Sequence, residues 1–181
     1  GDAMTFDPRS YLDGGPARVV ANLPYNIATA LLVSWLTTEP WPPWYDRLVL
    51  MFQREVAERI TAGPGSKDYG RLSVLCQYLC QARKLFDVNR AAFTPAPKVT
   101  SSVVQLVPIA RPAPACALPL LERVTAAAFG QRRKMLRASL RPVFADPEST
   151  LASLAIDPEA RAEDLTVAQF AAIAVAAGGE K

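Results

Sequence analysis

Residues 18–36 read RVVANLPYNIATALLVSWL, and the order of residue types in this stretch decides the fold class. The apolar run 18–21 is typical of a strand, Asn22 and Pro24 end it, and 27–36 continue without a helix breaker. This alternation of strand and helix recurs up to about residue 108. It predicts an α/β layered domain with strands over 18–21, 47–52, 84–88 and 102–107 and helices over 27–36, 53–61 and 70–81.

A proline-rich segment separates this domain from a part of the chain that shows no strand pattern. Residues 110–119 contain three prolines among small residues, which is typical of a linker. Beyond it the pattern predicts helices over 120–129 and 132–140. We therefore predict an α/β domain over 1–109, a linker over 110–119 and a small all-α domain over 120–181.

Three further helix starts are predicted in the second domain. Asp146 with Pro147 and Asp157 with Pro158 both place a capping side chain before a proline at the first helical position. Thr166 with Gln169 has the spacing of a capping box.

The composition is that of a folded protein that works without histidine. Half of the 181 residues are hydrophobic and a fifth are charged, as in globular chains. The absence of histidine excludes Ser/His and Cys/His nucleophile pairs and every His-ligated metal site. No apolar run reaches the roughly 18 residues of a membrane span. We expect neither a metal nor a membrane among the partners.

The three cysteines, Cys76, Cys80 and Cys116, indicate a reducing compartment. An odd number in a chain that can build its own core does not suit a disulfide framework. Cys76 and Cys80 alone do not complete a tetrahedral zinc site. We predict buried thiols and a cytoplasmic location.

Charge is sorted along the chain although the net charge is only +3. Residues 123–141 contain six basic residues and no acid, whereas 146–164 contain six acidic residues and one basic residue. On a helix, Arg133, Arg137 and Arg141 would form one stripe able to bind a polyanion. The alternative is an ordinary solvated helix face.

Asn22, Leu23, Pro24 and Tyr25 lie where an α/β fold places its chemistry, in the loop after the carboxyl end of a strand. The Asn22 carboxamide oxygen and a backbone carbonyl fixed by the following proline offer two acceptors for the hydrogens of an exocyclic amine. Two such hydrogen bonds favour a pyramidal nitrogen, whose lone pair is no longer delocalised into the ring. An adenine amine held in this way could attack a sulfonium methyl group without a strong base. A stacked Tyr25 ring would hold the base. The alternative is turn chemistry alone.

A second rigid loop, FTPAPKVTSS over 93–102, leads into a predicted strand and begins with an aromatic residue. We expect Phe93 to face Tyr25 across the bound base. The alternative is that Phe93 is a core residue and that the prolines only block strand pairing at an edge.

Five ordered motifs together resemble the bacterial small-subunit (16S) ribosomal RNA adenine N6,N6-dimethyltransferases. The motifs are NLPYNI at 22–27, GSKDYGRLSV at 65–74, AFTPAPKVTSSVV at 92–104, AFGQRRKMLRASL at 128–140 and IDPEARAEDLTVAQF at 156–170. The resemblance implies a Rossmann-like class I methyltransferase sheet and S-adenosylmethionine as cofactor. It also implies a substrate, two adjacent adenines in the 3′-terminal hairpin loop of small-subunit rRNA within the immature 30S subunit.

The resemblance also implies roles for individual residues. Asn22 and the Leu23 carbonyl, braced by Pro24, would accept from the amine while Tyr25 and Phe93 enclose the base. Asp2 resembles the acidic residue that contacts the adenine amine of the cofactor. Asn22 is also implied to contact the cofactor. The implied rRNA contacts are Arg132, Arg133, Lys134, Arg137 and Arg141.

The start of the chain departs from the family pattern. A glycine-rich loop of the GxGxG type after a strand, and the acidic residue that grips the ribose, do not precede Asp2. Gly63, Pro64 and Gly65 follow a predicted helix and do not replace that loop. We therefore expect the amino-terminal third to be missing and only the second half of the sheet to be present, as one contiguous block. The 181 residues alone should be inactive and should bind S-adenosylmethionine weakly.

Three alternatives stay open. The nearest is a sibling enzyme, an adenine methyltransferase of large-subunit rRNA that gives antibiotic resistance, although GQRRK and the acidic tail favour the small-subunit enzyme. A non-catalytic assembly factor would use the basic residues alone. A generic α/β domain with a helical tail is the third.

Overall fold

The computed structural model describes residues 7–12, 15, 17–109 and 114–179. The four strands are β1 (Ala17–Asn22), β2 (Tyr45–Gln53), β3 (Cys80–Val88) and β4 (Ser101–Pro108). The α-helices are α1 (Tyr25–Leu36), α2 (Arg54–Thr61), α3 (Arg71–Leu79), α4 (Leu118–Gly130), α5 (Leu136–Ser139), α6 (Pro147–Ser153) and α7 (Val167–Gly179). Short 3-10 helices cover Pro8–Tyr11, Arg90–Ala92 and Ala162–Asp164.

The strands form one mixed sheet in the order β1-β2-β4-β3. β1 and β2 are parallel, while β4 is antiparallel to both β2 and β3. The predictions of four contiguous strands and of β3 beside β4 are confirmed. β1 forms an edge of this sheet, and the Val20 side chain on it is 78% exposed.

The core of the sheet lies around β2. Buried and partly exposed side chains alternate along this strand, so that one of its faces is buried and the other is only partly covered. Leu48, Leu50 and Phe52 are buried on one face, as period-2 patterning requires. α1 places Leu31, Leu32 and Leu36 in the core on one helical stripe.

The described chain divides into two compact units. One contains the sheet with α1 and α2, up to Thr61 and again from Leu79, and the other contains residues 62–78 and the residues from Pro114 onward. Hydrogen bonds tie 62–78 into the second unit. The Gly65 N–H donates to the Glu163 carbonyl at 2.7 Å, and the Cys116 N–H donates to the Tyr78 hydroxyl at 2.9 Å. A segment in the middle of the sequence is therefore part of the carboxyl-terminal unit.

Aromatic side chains form the centre of the second unit. The Tyr69 ring meets Phe129 edge-on at 5.9 Å, and Phe129 lies 5.4 Å from Phe170. Burial raises the pKa of Tyr69 to about 12, so the phenol stays protonated at neutral pH. The three cysteines are buried, as predicted, and burial raises the pKa of the Cys80 thiol to about 12.

The predicted helix over 132–140 is wrong. α4 ends at Gly130, the Lys134 N–H closes a turn on the Gln131 carbonyl at 2.8 Å, and Met135 forms a β-bridge with Arg161. Only Leu136–Ser139 is helical. Arg133 and Arg141 therefore lie outside α5, and no single helical stripe carries them with Arg137.

The helix start predicted at Asp157 is also wrong, because its carboxylate accepts the Glu159 N–H at 2.8 Å within a turn. The other two starts are confirmed. The Asp146 side chain caps α6, and Thr166 and Gln169 exchange the two bonds of a capping box before α7.

Replacing Asp146 with alanine should lower the free energy of unfolding by about 1 kcal/mol. The Asp146 carboxylate accepts the Ser149 N–H at 3.1 Å, which would otherwise lack a helical partner. Asp146→Asn keeps an acceptor and should cost much less. Urea unfolding of both variants checks this, and equal losses would contradict the capping role.

Candidate active site

The loop between β1 and α1 carries the predicted tetrapeptide. Asn22 is the last residue of β1, and Tyr25 is the first of α1. The Pro24 carbonyl accepts the N–H groups of Ile27 at 3.1 Å and Ala28 at 3.0 Å. Pro24 therefore starts the helix while leaving the preceding Leu23 carbonyl outside the helical bonding pattern.

The strand register brings the proline-rich loop to the same end of the sheet. Asn22 pairs with Met51 near the end of β2, and Ser101 at the start of β4 pairs with Gln53. The Arg54 N–H donates to the Thr100 carbonyl at 3.0 Å. The segment before β4 therefore lies beside the loop after β1.

These two loops line one open cleft of about 330 Å³. Its lining residues are Asn22, Leu23, Pro24, Tyr25, Phe93, Pro95 and Pro97. All five residues predicted to act on the target base thus line a single cavity, and two prolines join them. Its volume is at the lower end of the range for small-ligand pockets.

The cleft offers neutral acceptors and ring faces. Asn22 is exposed, and its carboxamide has no hydrogen-bond partner within the described ranges of the chain. Tyr25 and Phe93 are each partly exposed, so both rings can contact a ligand, whereas the Leu23 side chain is buried. Such a site accepts hydrogen bonds from an amine and stacks on a flat ring.

Ser101 fixes the Tyr25 ring. The Tyr25 hydroxyl shares a short hydrogen bond with Ser101 Oγ, and Ser101 is fully buried. Next to it, Ser102 Oγ donates to the Asp87 carboxylate at 2.6 Å. That bond, with Lys84, holds the pKa of Asp87 below its usual range. Both serines belong to the quoted TPAPKVTSS motif, but nothing in the sequence pattern indicated that Ser101 would contact Tyr25.

Tyr25→Phe and Ser101→Ala should each lower the free energy of unfolding by about 1 kcal/mol, the usual net worth of one hydrogen bond. Because both remove the same bond, the double variant should be little less stable than either single variant. Urea unfolding of the three variants checks this. Fully additive losses would show that the two hydroxyl groups act independently.

The basic residues predicted to bind RNA lie in the second unit and fall into two groups. Arg132 pairs with Glu163 at 2.8 Å, and Arg137 pairs with Glu159 at 3.2 Å. The members of the other group are exposed and form no ion pair within the described part of the chain. They are Arg133, Lys134 and Arg141.

A second cavity, of about 410 Å³, lies in the same unit. Arg137 and Arg141 line it together with the carboxyl-bearing residues Asp146 and Glu148. Its mixed charge does not select an anion, so it adds no argument for phosphate binding.

Two cofactor-related predictions have different outcomes. Asp2 lies outside the described residues. Gly63, Pro64 and Gly65 follow α2 and not a strand, as predicted, and Gly65 adopts a positive φ of 80° in that loop.

Within the described ranges, three or more potential metal ligands do not cluster. In those ranges the helices are also too short or too polar to cross a membrane.

Comparisons with known proteins relate this chain to enzymes that modify ribosomal RNA. The family described as "Ribosomal RNA adenine dimethylase" matches residues 1–177. A "Ribosomal RNA small subunit methyltransferase A" from Azorhizobium caulinodans is 63% identical over 178 residues, covering 98% of this chain and 61% of the relative. The protein of that name from Bradyrhizobium diazoefficiens is 59% identical, covering 96% and 61%. The chain thus spans about three fifths of the length of these relatives.

Two solved structures share the fold. A dimethyladenosine transferase from Plasmodium falciparum superposes with a TM-score of 0.78 at 24% identity, covering 96% of this chain and 69% of that one. The 23S rRNA methyltransferase ErmE gives a TM-score of 0.67 at 24% identity, covering 97% and 69%. Both likenesses support the predicted Rossmann-like methyltransferase sheet. From the family match over nearly its whole length, the chain belongs to the ribosomal RNA adenine dimethylase family.

Proposed function

We propose that this chain carries the adenine-binding part of an S-adenosylmethionine-dependent rRNA adenine N6,N6-dimethyltransferase. Its substrate is a pair of adjacent adenines in the 3′-terminal hairpin loop of small-subunit rRNA, within the immature 30S subunit in the cytoplasm. The main support for this proposal is that Asn22, the Leu23–Pro24 peptide and two aromatic rings line one cleft.

The cleft suits an exocyclic amine because its acceptors are neutral. The Asn22 carboxamide oxygen and the Leu23 carbonyl take one amine hydrogen each, which draws the nitrogen out of conjugation with the purine ring. Tyr25 and Phe93 hold the base from its two faces. A base in a hairpin loop reaches such a cleft at lower cost than a base in a duplex.

The same residues fit the reacting end of the methyl donor. Aromatic rings and carbonyl oxygens stabilise a sulfonium cation, and bound S-adenosylmethionine supplies an electrophilic methyl group. Asn22, at the carboxyl end of β1, would lie beside it. Asp2 is proposed to hold the donor's adenine amine, on the strength of its sequence motif.

The second unit supplies the RNA contacts. Arg133, Lys134 and Arg141 are exposed and have charges available for phosphates, while Arg132 and Arg137 already form intramolecular pairs. Phosphate contacts of this kind orient the RNA without reading its sequence. The names of the 59–63% identical relatives favour small-subunit over large-subunit RNA.

The test is methylation of immature small subunits by the full-length protein as its gene encodes it. We expect N6,N6-dimethyladenosine at two adjacent positions of the 3′-terminal hairpin, detected by mass spectrometry of nuclease fragments. Methylation of large-subunit rRNA instead would favour the antibiotic-resistance alternative. Binding without methylation would favour the assembly factor.

A further inference from the structure

We propose that Lys67 is an additional rRNA phosphate contact, and that Arg132 is the residue that positions it. This inference rests on the proposed function, since it concerns how the same RNA is held. It assigns Arg132 a role different from the direct phosphate contact that the sequence motif implies.

Two of the three guanidinium nitrogens of Arg132 are already hydrogen-bonded within the protein. Its Nε donates to Glu163 Oε2 at 2.8 Å, and its Nη2 donates to the Lys67 carbonyl at 2.6 Å. The planar guanidinium thereby joins the loop before α3 to the 3-10 helix Ala162–Asp164. A guanidinium held on two sides has fewer donors left for a phosphate.

The loop that carries Lys67 is fixed at several points. The Gly65 N–H donates to the Glu163 carbonyl at 2.7 Å, and the positive φ of Gly65 suits a residue without Cβ. On the other side of Lys67, the buried Tyr69 ring packs on Phe129. The Lys67 backbone is therefore held while its side chain stays exposed.

The Lys67 carbonyl lies against the turn that carries Arg132, Arg133 and Lys134. Because the Lys67 carbonyl bonds Arg132, Lys67 adjoins Arg133 and Lys134, which follow Arg132 directly in the chain. These four cations outnumber the acids that adjoin Lys67 or the Arg132 partner in sequence, namely Asp68, Glu163 and Asp164. A surface with net positive charge, on which Lys67, Arg133 and Lys134 are exposed and form no ion pair with another described residue, fits a polyanionic backbone.

Two variants of Glu163 separate positioning from simple charge. Glu163→Ala and Glu163→Gln both remove one negative charge from the RNA-binding surface, but only glutamine keeps an acceptor for Arg132 Nε. If charge alone matters, both variants should bind immature small subunits equally and more tightly than the parent. If Arg132 positions the loop, alanine should weaken binding about three- to tenfold relative to glutamine. Equal affinities would overturn the positioning role.

The contact itself is tested by the salt dependence of binding. Lys67→Ala should reduce the slope of log affinity against log salt by about 0.7 to 0.9, and affinity about fivefold near 0.1 M salt. Lys67→Arg should retain both. Arg83→Ala is the control and should keep the parent's slope, because Arg83 is an exposed basic residue of β3, in the unit that does not carry Lys67.

The failures can be told apart. If the full-length parent methylates immature small subunits but Lys67→Ala gives the parent's slope, only this inference falls. If the parent neither binds nor methylates them, the proposed function falls and this inference with it. Lys67 is exposed, so its variants should fold, and thermal unfolding of all variants checks that any loss is not a folding defect.

Discussion

In the full-length protein, Asn22→Ala should reduce the rate of dimethyladenosine formation by about 100- to 1000-fold, the usual loss when one preorganised polar group of a reacting site is removed. The Asn22 carboxamide is exposed in the cleft and has no protein partner within the described residues. Its removal leaves one amine hydrogen without an acceptor, and the nitrogen lone pair stays delocalised. Because that interaction strengthens as the nitrogen reacts, the loss should appear in kcat more than in KM.

Asn26→Ala provides the matched control. Asn26 is also an exposed asparagine, on the first turn of α1, but it does not line the cleft. Single-turnover methylation of immature small subunits by parent, Asn22→Ala and Asn26→Ala gives the comparison. If Asn22→Ala retained the parent's rate, the amine-acceptor role would be refuted, and the case for a non-catalytic assembly factor would strengthen.

The sheet could be predicted from the sequence because each strand carries its own local signal. Apolar runs bounded by Asn, Pro and charged residues located all four strands, and the tetrapeptide marked the end of β1. The register could not be predicted in the same way. The pairing of Asn22 with Met51 and of Ser101 with Gln53 brings Phe93 to the cleft, and it depends on contacts between distant segments.

The second unit shows where local patterns fail. Residues 132–140 have helical spacing, but Gly130, the bridge between Met135 and Arg161, and Pro142 leave only one turn of helix. The stripe of Arg133, Arg137 and Arg141 that this spacing predicts therefore does not form. The ion pairs of Arg132 with Glu163 and of Arg137 with Glu159 join segments more than 20 residues apart, which helical spacing alone does not reveal.

Phe93→Ala should weaken productive binding of the target adenine by about 5- to 150-fold, the range for loss of one stacking partner. Phe93 follows the 3-10 helix Arg90–Ala92, is partly exposed and lines the same cleft as the Asn22–Tyr25 loop. Its truncation should therefore disturb the ligand more than the core. The loss should appear mainly as a higher KM for immature small subunits, because stacking holds the base both before and during the reaction.

Conservative variants separate ring stacking from apolar bulk. Phe93→Tyr keeps the ring and should stay close to the parent, whereas Phe93→Leu keeps the apolar volume and should resemble Phe93→Ala. Leucine that performed as well as tyrosine would mean that Phe93 only fills space at the cleft wall. In that case Tyr25, tied to Ser101, would be the sole stacking ring, and Tyr25→Leu would then cause the larger loss. We expect the opposite order for leucine and tyrosine at position 93, because the cleft encloses a flat base from two sides only if both rings are present.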